Sequence, residues 1–440
     1  MNKNATEQRG RVILTYGRSL MALTAAHSLG ARGIEVIGCD DVDWTVLKFS
    51  KFTKKYFVHP RYDEAPDAYF EEMNNQIEAH RPDDDRPYIL MPMFRDMAFI
   101  AEHKNRFPDY ITLAVPPHDA VEKVGSKTAF ARFCEEHDLA TPDFWLPDNE
   151  ETLQNLKDAL PYPVLIKTPE GRGGRGIHKC ADFEELETNF KQSKNDYGVP
   201  PIIQAMAKGH DYCFTCLCDQ GEIVADMSYT NLHTFPKETG AGAMRETVLS
   251  EPFFATAQKM MRALQWHGVA EIDFMWEGTD EHDPQLIEVN ARFWAGLFHS
   301  VQSGIDYPWL LYKLLTGQDI TQEDKKDIIG KKTKVPGLWL MSALEDLDNE
   351  EGQAALKDGW QALWAQNKER SFQEKWTQFS NILGDTFSTN KEGWQNLFKQ
   401  AKEARDELDF DEEDPMVAFG ILFILNSLLK HGKLPEEVTS

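Results

Sequence analysis

The sequence has few cysteines, and their spacing excludes the common metal and disulfide frameworks. Its 440 residues include six cysteines, of which only Cys213, Cys216 and Cys218 cluster. A zinc site needs a second pair of cysteines or histidines at knuckle spacing, and none follows. We therefore expect buried, reduced thiols on a strand around residues 212–217.

Long apolar runs and basic residues are also scarce. The longest apolar run, 416–429, is shorter than the roughly eighteen residues of a membrane-spanning helix, so a buried helix is expected there. The polar opening, 1–11, resembles neither a secretory signal nor a membrane anchor. Asp and Glu outnumber Lys and Arg by 72 to 47, a net charge of -25 that repels phosphate backbones and anionic lipid. We expect a cytoplasmic protein that binds neither nucleic acid nor membrane.

The length and the pattern of apolar residues indicate three regions. Residues 9–118 alternate strands and helices and open with a βαβ unit, as in a small Rossmann-like α/β domain. In residues 119–323 the predicted strands and helices alternate with a different spacing, and this region contains all the sequence motifs described below that indicate chemistry. Residues 324–440 predict a helical C-terminal region in which 406–414 is a solvated acidic linker. Four tryptophans are expected to pack within that region: Trp360, Trp364, Trp376 and Trp394.

The first βα turn, residues 16–19, contains a single glycine. A dinucleotide fingerprint needs three glycines to let a pyrophosphate reach the start of the helix. The N-terminal domain is therefore not expected to bind the main nucleotide.

A glycine-rich segment, GRGGRG at 171–176, lies between two strand-like segments, the first of which ends in Lys167. A Rossmann turn would lead into a helix, and a P-loop would end in Lys-Ser or Lys-Thr, so neither motif fits. A protein kinase would also need H-R-D and D-F-G motifs, which the sequence lacks. The segment is either a mobile turn or a hairpin whose backbone amides fold over a triphosphate while Lys167 neutralises the phosphates.

Two alternating segments, 269–277 and 285–293, predict an antiparallel hairpin. Because side chains alternate across a strand, Glu271 lies on the polar face and Ile287 is expected on the apolar face. The hairpin is either an exposed amphipathic element with ordinary surface charges or a site with oxygen ligands suited to magnesium rather than zinc or iron. The alternation gathers four candidate side chains on the polar face: Asp273, Glu288, Asn290 and Arg292.

Taken together, these motifs resemble the ATP-grasp superfamily, and within it the carboxylate-amine ligases similar to carbamoyl-phosphate synthase large subunits and biotin carboxylase. The resemblance covers roughly residues 10–320. It implies an ATP-grasp fold that mixes α/β and α+β parts, with a Rossmann-like N-terminal domain, a lid subdomain at about 142–203 and a helical C-terminal extension. It rests on four ordered segments: GSK at 125–127, VLIK at 164–167 with the glycine loop, IIQAMAKGHDY at 202–212, and LIEVNARF at 286–293.

By this resemblance, two lysines hold the α- and β-phosphates of ATP and the glycine loop closes over them. Residues 205–207 form the hinge that reads the adenine edge, beside an adenine-contacting amide and a ribose-contacting acid. Two positions depart from the family pattern, because Ala205 replaces a common second acid and Asp211 is shorter than the usual glutamate. The implied nucleotide-binding residues are Lys127, Lys167, Gly171, Gly173, Gly174, Gly176, Gln204, Ala205, Ala207 and Asp211.

The resemblance also implies two magnesium ions, which Mn²⁺ can replace, with Glu288 bridging them. Their implied ligands are Asp273, Glu288 and Asn290. Arg292 is expected to steady the transferring phosphate. Lys237 and Arg245, in the glycine-bearing segment 235–248, are expected either to reach the γ-phosphate or substrate carboxylate, or to be a solvated loop pair.

The activity implied is ligation. A carboxylate is activated by ATP as an acyl phosphate, and an amine displaces phosphate to give an amide or peptide bond. The sequence offers no Ser-His-Asp or Cys-His constellation, so covalent enzyme catalysis is not implied. Two alternatives remain open: a bicarbonate-activating carboxylase-type enzyme and a non-catalytic ATP-binding regulatory protein. Residues 324–440 could cap the substrate pocket, build a homodimer or dock a partner.

Overall fold

The computed structural model describes residues 10–168, 176–235, 241–279 and 282–335, together with the single positions 339, 342, 399 and 414 and the segment 402–407. The predictions made for Lys237, for Gly171, Gly173 and Gly174, for the four tryptophans and for the apolar run at 416–429 lie outside these residues.

The first described region is a parallel five-stranded sheet flanked by helices, with the strand order β3-β2-β1-β4-β5. Strand β1 has the sequence RVIL and is almost entirely buried because helices cover both faces of the sheet. Helix α1 begins after Ser19, whose hydroxyl accepts a hydrogen bond from the Ala22 amide. The elements are β1 (Arg11–Leu14), α1 (Leu20–Ala31), β2 (Glu35–Asp40), α2 (Val46–Phe49), β3 (Thr53–Val58), α3 (Pro66–Ala79), β4 (Tyr88–Met91), α4 (Asp96–Glu102) and β5 (Thr112–Leu113).

Two helices lead into a second, antiparallel sheet with the order β6-β9-β7-β8. Helix α8 packs on it through Leu186 and Phe190, and this helix ends at Gly198, which has a φ of 72°. The elements are α5 (His118–Gly125), α6 (Lys127–Glu136), β6 (Phe144–Trp145), α7 (Glu150–Asn155), β7 (Val164–Lys167), β8 (Ile177–Cys180), α8 (Phe183–Tyr197) and β9 (Ile202–Ala205).

The third sheet is the largest, with seven strands in the order β14-β13-β10-β11-β12-β15-β16. Helix α9 buries Phe253 against Phe274 on one face, and helix α11 packs against part of the other. The elements are β10 (His210–Asp219), β11 (Glu222–Phe235), β12 (Ala241–Val248), α9 (Glu251–Leu264), β13 (Gly268–Trp276), β14 (Gln285–Asn290), α10 (Leu297–Gln302), α11 (Tyr307–Leu315), β15 (Lys332–Lys334) and β16 (Arg405–Asp406).

The predicted hairpin of β13 and β14 is present, but one inward position differs from the prediction. Asp273 lies opposite Glu288, whereas Phe274 lies opposite Leu286, so Ile287 is an additional residue in the register. Leu286 is fully buried and occupies the apolar face expected for Ile287, which is half-buried. Strict alternation predicted the wrong residue because a β-bulge shifts the pairing by one position.

The C-terminal region also departs from the prediction. Strands β15 and β16 extend the central sheet, with β16 parallel to β15, so these parts of 324–440 are not helical. The stretch 406–414 is not simply a solvated linker, because Glu407 and Asp414 are buried. Each acid is retained in the interior by hydrogen-bond donors, Glu407 by Arg245 and Asp414 by the Ser50 hydroxyl. Among the described residues, no helix combines the length and apolarity required to cross a bilayer.

Candidate functional site

The hairpin of β13 and β14 places the predicted metal ligands side by side. Asp273 faces Glu288 directly across the strands, and Glu271 faces Asn290. The Asn290 side-chain amide donates to Asp273 at 3.2 Å and to Glu271 at 3.4 Å. The alternating residues Ile272 and Phe274 are buried against helix α9, so packing of the apolar face fixes the direction of the carboxylates.

The neighbouring strand β10 adds Cys213 to this face and β13 adds Glu271, and the sequence analysis placed neither residue at a metal site. Cys213 lies opposite Asp273, and potential ligand atoms of Cys213, Glu271 and Asp273 lie within 4.8 Å of one another. All six cysteines are free and buried, which confirms that prediction. Cys216 and Cys218 instead lie in the opposite core under helix α9. Glu271 carried a signal in the sequence, because alternation placed it on the polar face.

The acids gathered on this face repel one another. Burial raises the pKa of Asp273, and the charges of Glu271, Asp211 and Glu288 raise it further. Burial also raises the pKa of Glu271 to about 7, although a hydrogen bond from Tyr229 and the charge of Arg292 oppose the shift. A cation relieves such repulsion, and oxygen donors of this kind suit magnesium. The residues present therefore fit the metal that the sequence predicted.

Two lysines lie near this face from the side of the second sheet. The pKa of Lys167 is lowered to about 8, because burial, together with the charge of Lys127, outweighs the opposing charge of Glu288. The Lys127 ammonium donates to the Thr168 carbonyl at 3.2 Å. Both lysines line a cavity of about 390 Å³ together with Ser126, Thr128, Arg132 and Ile202. The two lysines thus line one cavity, and Lys167 is close enough to Glu288 for its charge to affect the pKa of the lysine, whereas phosphate binding by both lysines stays a prediction.

The expected adenine hinge joins the two antiparallel sheets. Gln204 is buried in β9, whereas Ala205 and Ala207 are half-buried at and just beyond the end of that strand. Gly209 follows with a φ of 99°, where the chain enters β10. Asp211 accepts a hydrogen bond of 2.6 Å from the Asn231 amide, and burial raises the pKa of its carboxyl. Of the predicted glycine loop, Gly176 is described and has a φ of 75°.

Arg292 lies between the polar face of the β13–β14 hairpin and the N-terminal domain. Its guanidinium carbon lies 4.5 Å from the centre of the Phe94 ring, which in turn stacks on Tyr16 at 4.7 Å. Burial lowers the pKa of Arg292, while Glu271, Glu288 and Asp273 oppose the shift. Tyr16 and Phe94 follow β1 and β4, where the strand order reverses and α/β sheets commonly bind ligands. The sequence analysis did not predict that Phe94 and Tyr16 lie beside Arg292.

Of the two alternatives given for Arg245, the solvated loop position is wrong. Arg245 lies within β12, is 3% exposed and forms a 2.6 Å ion pair with Glu407. The sequence gave no signal for this pairing because the two residues are 162 positions apart. A direct role of Arg245 in substrate binding stays a prediction.

The chain is similar to several known proteins. Residues 124–296, less than half of the chain, match the family model described as the ATP-grasp domain. The chain is similar to a carbamoyl-phosphate synthase of Methanobrevibacter smithii, at 23% identity over 39% of this chain and 47% of that protein. It is also similar to acetyl-CoA carboxylase 2 of Oryza sativa, at 29% identity over 30% of this chain and 6% of that protein. Biotin carboxylase 1 of Bacillus subtilis matches at 19% identity over 71% of this chain and 69% of that protein. The chain thus spans less than half the length of the first two of these relatives.

Solved structures show the same fold. Biotin carboxylase from Campylobacter jejuni, in a complex with β-γ-ATP, has a TM-score of 0.58 at 16% identity and covers 75% of each chain. N5-carboxyaminoimidazole synthetase from Staphylococcus aureus has a TM-score of 0.57 at 11% identity, over 76% of this chain and 83% of that one. The biotin carboxylase domain of a Hydrogenobacter thermophilus carboxylase, in a complex with MgADP and bicarbonate, has a TM-score of 0.57 at 16% identity, over 74% of each chain. The chain therefore has the ATP-grasp fold, with a Rossmann-like N-terminal sheet, as predicted.

Proposed function

We propose that this protein is an ATP- and Mg²⁺-dependent ligase that activates a carboxylate as an acyl phosphate and couples it to an amine. The observation that carries the proposal is the convergence of a carboxylate hairpin and two lysines that line one cavity. Asp273 and Glu288 face each other across β13 and β14, and Glu288 in turn influences the ionisation of Lys167. The lysine cations would stabilise the negatively charged phosphates, and the carboxylates would hold the metal cation. The combination therefore suits a nucleoside triphosphate with its bound metal.

In this proposal, each group has a defined task. Lys127 and Lys167 hold the inner phosphates of ATP, while the segment 171–176 closes over them. Asp273, Glu288 and Asn290 hold magnesium, which when bound neutralises phosphate charge and polarises the γ-phosphate. We propose two ions, with Mn²⁺ as a substitute. Arg292, buried against Phe94, points its charge toward the oxygens that gain negative charge during transfer.

The nucleoside would lie across the hinge between the second and third sheets. Backbone groups of 205–207 read the adenine edge, Gln204 contacts the base, and Asp211 accepts from the ribose hydroxyls. Asn231 already donates to Asp211 and fixes the orientation of its carboxylate.

The reaction has two steps. A carboxylate oxygen of the substrate attacks the γ-phosphorus, the bond to the β–γ bridging oxygen breaks, and ADP leaves. The amine nitrogen then attacks the acyl carbon, phosphate leaves with the carbon–oxygen bond electrons, and the nitrogen loses a proton. Holding both substrates in one closed site favours the second step over attack by water.

A second candidate is activation of bicarbonate. One structural neighbour was solved with MgADP and bicarbonate, and two of the similar proteins are carboxylases. In that case ATP would form carboxyphosphate without any organic carboxylate. The two candidates share the metal and phosphate groups and differ only in the acceptor.

A hydroxylamine assay distinguishes these functions. The protein is incubated with ATP, Mg²⁺, hydroxylamine and pooled carboxylates, and hydroxamates are identified by mass spectrometry. A hydroxamate identifies the activated acid. ADP formation that depends on bicarbonate alone would favour the second candidate, whereas tight ATP binding without ADP would indicate a regulatory protein.

Two variants test the assignment of the site. Glu288→Gln and Lys167→Ala are expected to abolish ADP formation. Glu277→Gln, at an exposed position beyond the end of β13, is the matched control and should retain activity. Full activity of Glu288→Gln or Lys167→Ala would contradict the proposal.

We also propose a cytoplasmic location, because the reaction consumes ATP and the six thiols are free. The substrates are a small carboxylate and a small amine, and a homodimer is compatible with the fold.

A further inference from the structure

Two loops of the N-terminal domain, 15–19 after β1 and 92–95 after β4, form a crevice at the carboxyl ends of these strands. The Met93 amide donates to the Thr15 hydroxyl oxygen at 3.1 Å. One residue further along each loop, the rings of Tyr16 and Phe94 stack with their centres 4.7 Å apart and their planes inclined by 17°. A hydrogen bond and a stacked ring pair thus fix the two loops relative to each other.

Tyr16 has an unusual backbone conformation in this crevice. Its φ is 56°, in the left-handed region that residues other than glycine rarely adopt. The turn is held from both sides, because the Ser19 amide donates to the Tyr16 carbonyl and the Gly17 amide donates to the Cys39 carbonyl, each at 3.0 Å. Strained residues of this kind cluster at ligand-binding sites. The strain therefore indicates that the position of the Tyr16 ring has a function.

Two arginines share the Phe94 ring. The guanidinium carbon of Arg292 lies 4.5 Å from the ring centre, and that of Arg95 lies 5.0 Å from it. Arg292 follows β14, whereas Arg95 directly precedes α4. The two guanidinium groups are therefore neighbours although they belong to different domains. Arg95 is half-buried, so packing supports its position and a ligand in the crevice can still reach it.

A third arginine of the crevice has a different task. Arg18 lies 5.5 Å from the centre of the Tyr16 ring, but its Nε donates to Asp40 at 3.0 Å, and it also forms an ion pair with Asp41. Two acids of the protein thus use this guanidinium to hold the β1–α1 turn. Recognition of a ligand beside Arg292 consequently falls to Arg95.

The position of Arg292 in the proposed reaction says what such a ligand would be. Arg292 faces the oxygens of the transferring phosphate, so the carboxylate that attacks this phosphate lies beside the same guanidinium. Arg95 adds a second planar fork of N–H donors, which matches the geometry of a carboxylate. Two neighbouring guanidinium groups also repel each other, and an anion bound between them reduces that repulsion. Arg95 therefore suits a second negative charge on the substrate, away from the reacting group.

We propose that the activated acid is a short dicarboxylic acid and that Arg95 is a specificity-determining residue that binds its second carboxylate. The reacting carboxylate lies at Arg292, and the Tyr16 and Phe94 rings contact the carbon chain between the two carboxylates. This chain must be short, because both guanidinium carbons lie within 5.0 Å of one ring centre. The inference rests on the proposed function, since it takes Arg292 to mark the place of the reacting group.

The test compares acids that differ only in whether one end is a methyl group or a carboxylate. The pairs are butyrate and succinate, valerate and glutarate, and norvaline and glutamate. Each acid is incubated with the full chain, ATP, Mg²⁺ and hydroxylamine, and the initial rates of hydroxamate formation give kcat/KM. We expect the dicarboxylic acid of at least one pair to exceed its partner about thirtyfold, as for the loss of hydrogen bonds to a charged group.

Variants of Arg95 test whether this residue causes the preference. Arg95→Gln should raise the KM for the preferred dicarboxylic acid at least about tenfold, with the KM for ATP and the rate with the monocarboxylic partner unchanged. Arg95→Lys keeps the charge but not the planar fork, so it should retain part of the preference.

Arg81→Gln is the matched control. Arg81 also lies on a ring of the N-terminal domain, with its guanidinium carbon 4.0 Å from the centre of Tyr110. It precedes β4, whereas Arg95 follows this strand, so the two arginines lie at opposite ends of the sheet. The control should keep the KM values of the wild type, and melting curves of all variants check that they fold.

The outcomes separate this inference from the proposed function. Equal rates within every pair, a monocarboxylic acid as the preferred substrate, or an unchanged preference of folded Arg95→Gln overturns the inference alone, because hydroxamates still form. If no carboxylic acid yields a hydroxamate, or if ADP formation depends on bicarbonate alone, the proposed ligase function is contradicted and the inference falls with it.

Discussion

Arg292 lies against the face of Phe94, with 4.5 Å between its guanidinium carbon and the centre of the ring. The first residue follows β14 of the carboxylate hairpin, and the second lies in the loop after β4 of the N-terminal domain. The ring attracts the cation and excludes water from one side of it. The N-terminal domain thus helps to orient the arginine that is proposed to steady the transferring phosphate.

Replacing Phe94 tests this orientation. Phe94→Leu keeps an apolar side chain but removes the ring, and we expect kcat to fall about tenfold, equivalent to about 1.4 kcal/mol of lost interaction. Nucleotide affinity should change little, because within the described part of the chain the ring contacts of Phe94 are with Tyr16, Arg95 and Arg292 and not with a predicted nucleotide ligand. Phe107→Leu, at a buried ring in the core on the other face of the same sheet, is the control and should lower stability without lowering kcat. Equal kcat values for Phe94→Leu and wild type would show that the ring does not orient Arg292.

Asp273→Asn should lower activity and raise the stability of the metal-free protein. Burial and neighbouring acids raise the pKa of this carboxyl, so its ionised form destabilises the metal-free fold above its unfolded pKa. The amide removes that charge, and we expect the metal-free variant to melt a few degrees higher at neutral pH. Activity should fall on the order of a thousandfold, since a ligand is lost. Differential scanning calorimetry with and without Mg²⁺ measures the first effect, and ADP formation measures the second.

Asp283→Asn is the control for Asp273→Asn, because Asp283 is exposed in the turn of the same hairpin. It should change neither the melting temperature nor activity. A metal-free Asp273→Asn protein that melts below the wild type would refute the electrostatic explanation.

Nucleotide affinity should depend on the ionisation of Lys167. Burial lowers the pKa of this lysine from 10.5 to about 8, and phosphates favour its charged form. Nucleotide binding should therefore take up a proton, and affinity should fall as the pH rises through about 8. For the free protein the sign is opposite: the unfolded chain binds more protons between pH 8 and 10.5, so stability rises with pH across this range.

Calorimetric titrations in buffers of different ionisation enthalpy measure this proton uptake. Lys167→Arg is the matched variant, because arginine stays charged and should give a nearly pH-independent affinity. Identical pH profiles for lysine and arginine would exclude Lys167 as the titrating group.

Gly209 is required at the junction of the hinge and the central sheet. Its φ is 99°, and a Cβ atom there would lie 2.1 Å from the Trp276 carbonyl oxygen. We expect Gly209→Ala to lower the free energy of unfolding by at least about 2 kcal/mol, because strain and a backbone clash combine. Gly198→Ala is the matched comparison, since Gly198 has a φ of 72° but no atom within 4 Å of its Cβ position. Its cost should be about 1 kcal/mol, for backbone strain alone.

Denaturant unfolding of both alanine variants measures the difference. Equal free-energy losses would mean that the chain relaxes around Gly209, and the proposed close approach of β13 would then be unimportant for stability.

The β13–β14 hairpin shows which side-chain positions local sequence patterns can predict and which they cannot. Alternation correctly placed Asp273, Glu288 and Asn290 on one face, because side-chain direction in a strand follows from the backbone itself. It misplaced Ile287, since a single bulged residue reverses the faces and leaves no mark in the composition. The helical prediction for the C-terminal region failed at β15 and β16 for a related reason: both are short strands that exist only because the edge of a sheet is available.

The sequence by itself determined the βαβ opening of the N-terminal domain, the lysine at the end of β7 and the oxygen-bearing side chains on the polar face of the hairpin. These features depend on neighbouring residues, whose spacing is visible along the chain. Only the tertiary structure decided that Phe94 meets Arg292 and that Glu407 meets Arg245. Such contacts depend on which strands become neighbours in the folded protein. A buried charge is unfavourable unless it is paired, and its partner can lie far away in the sequence.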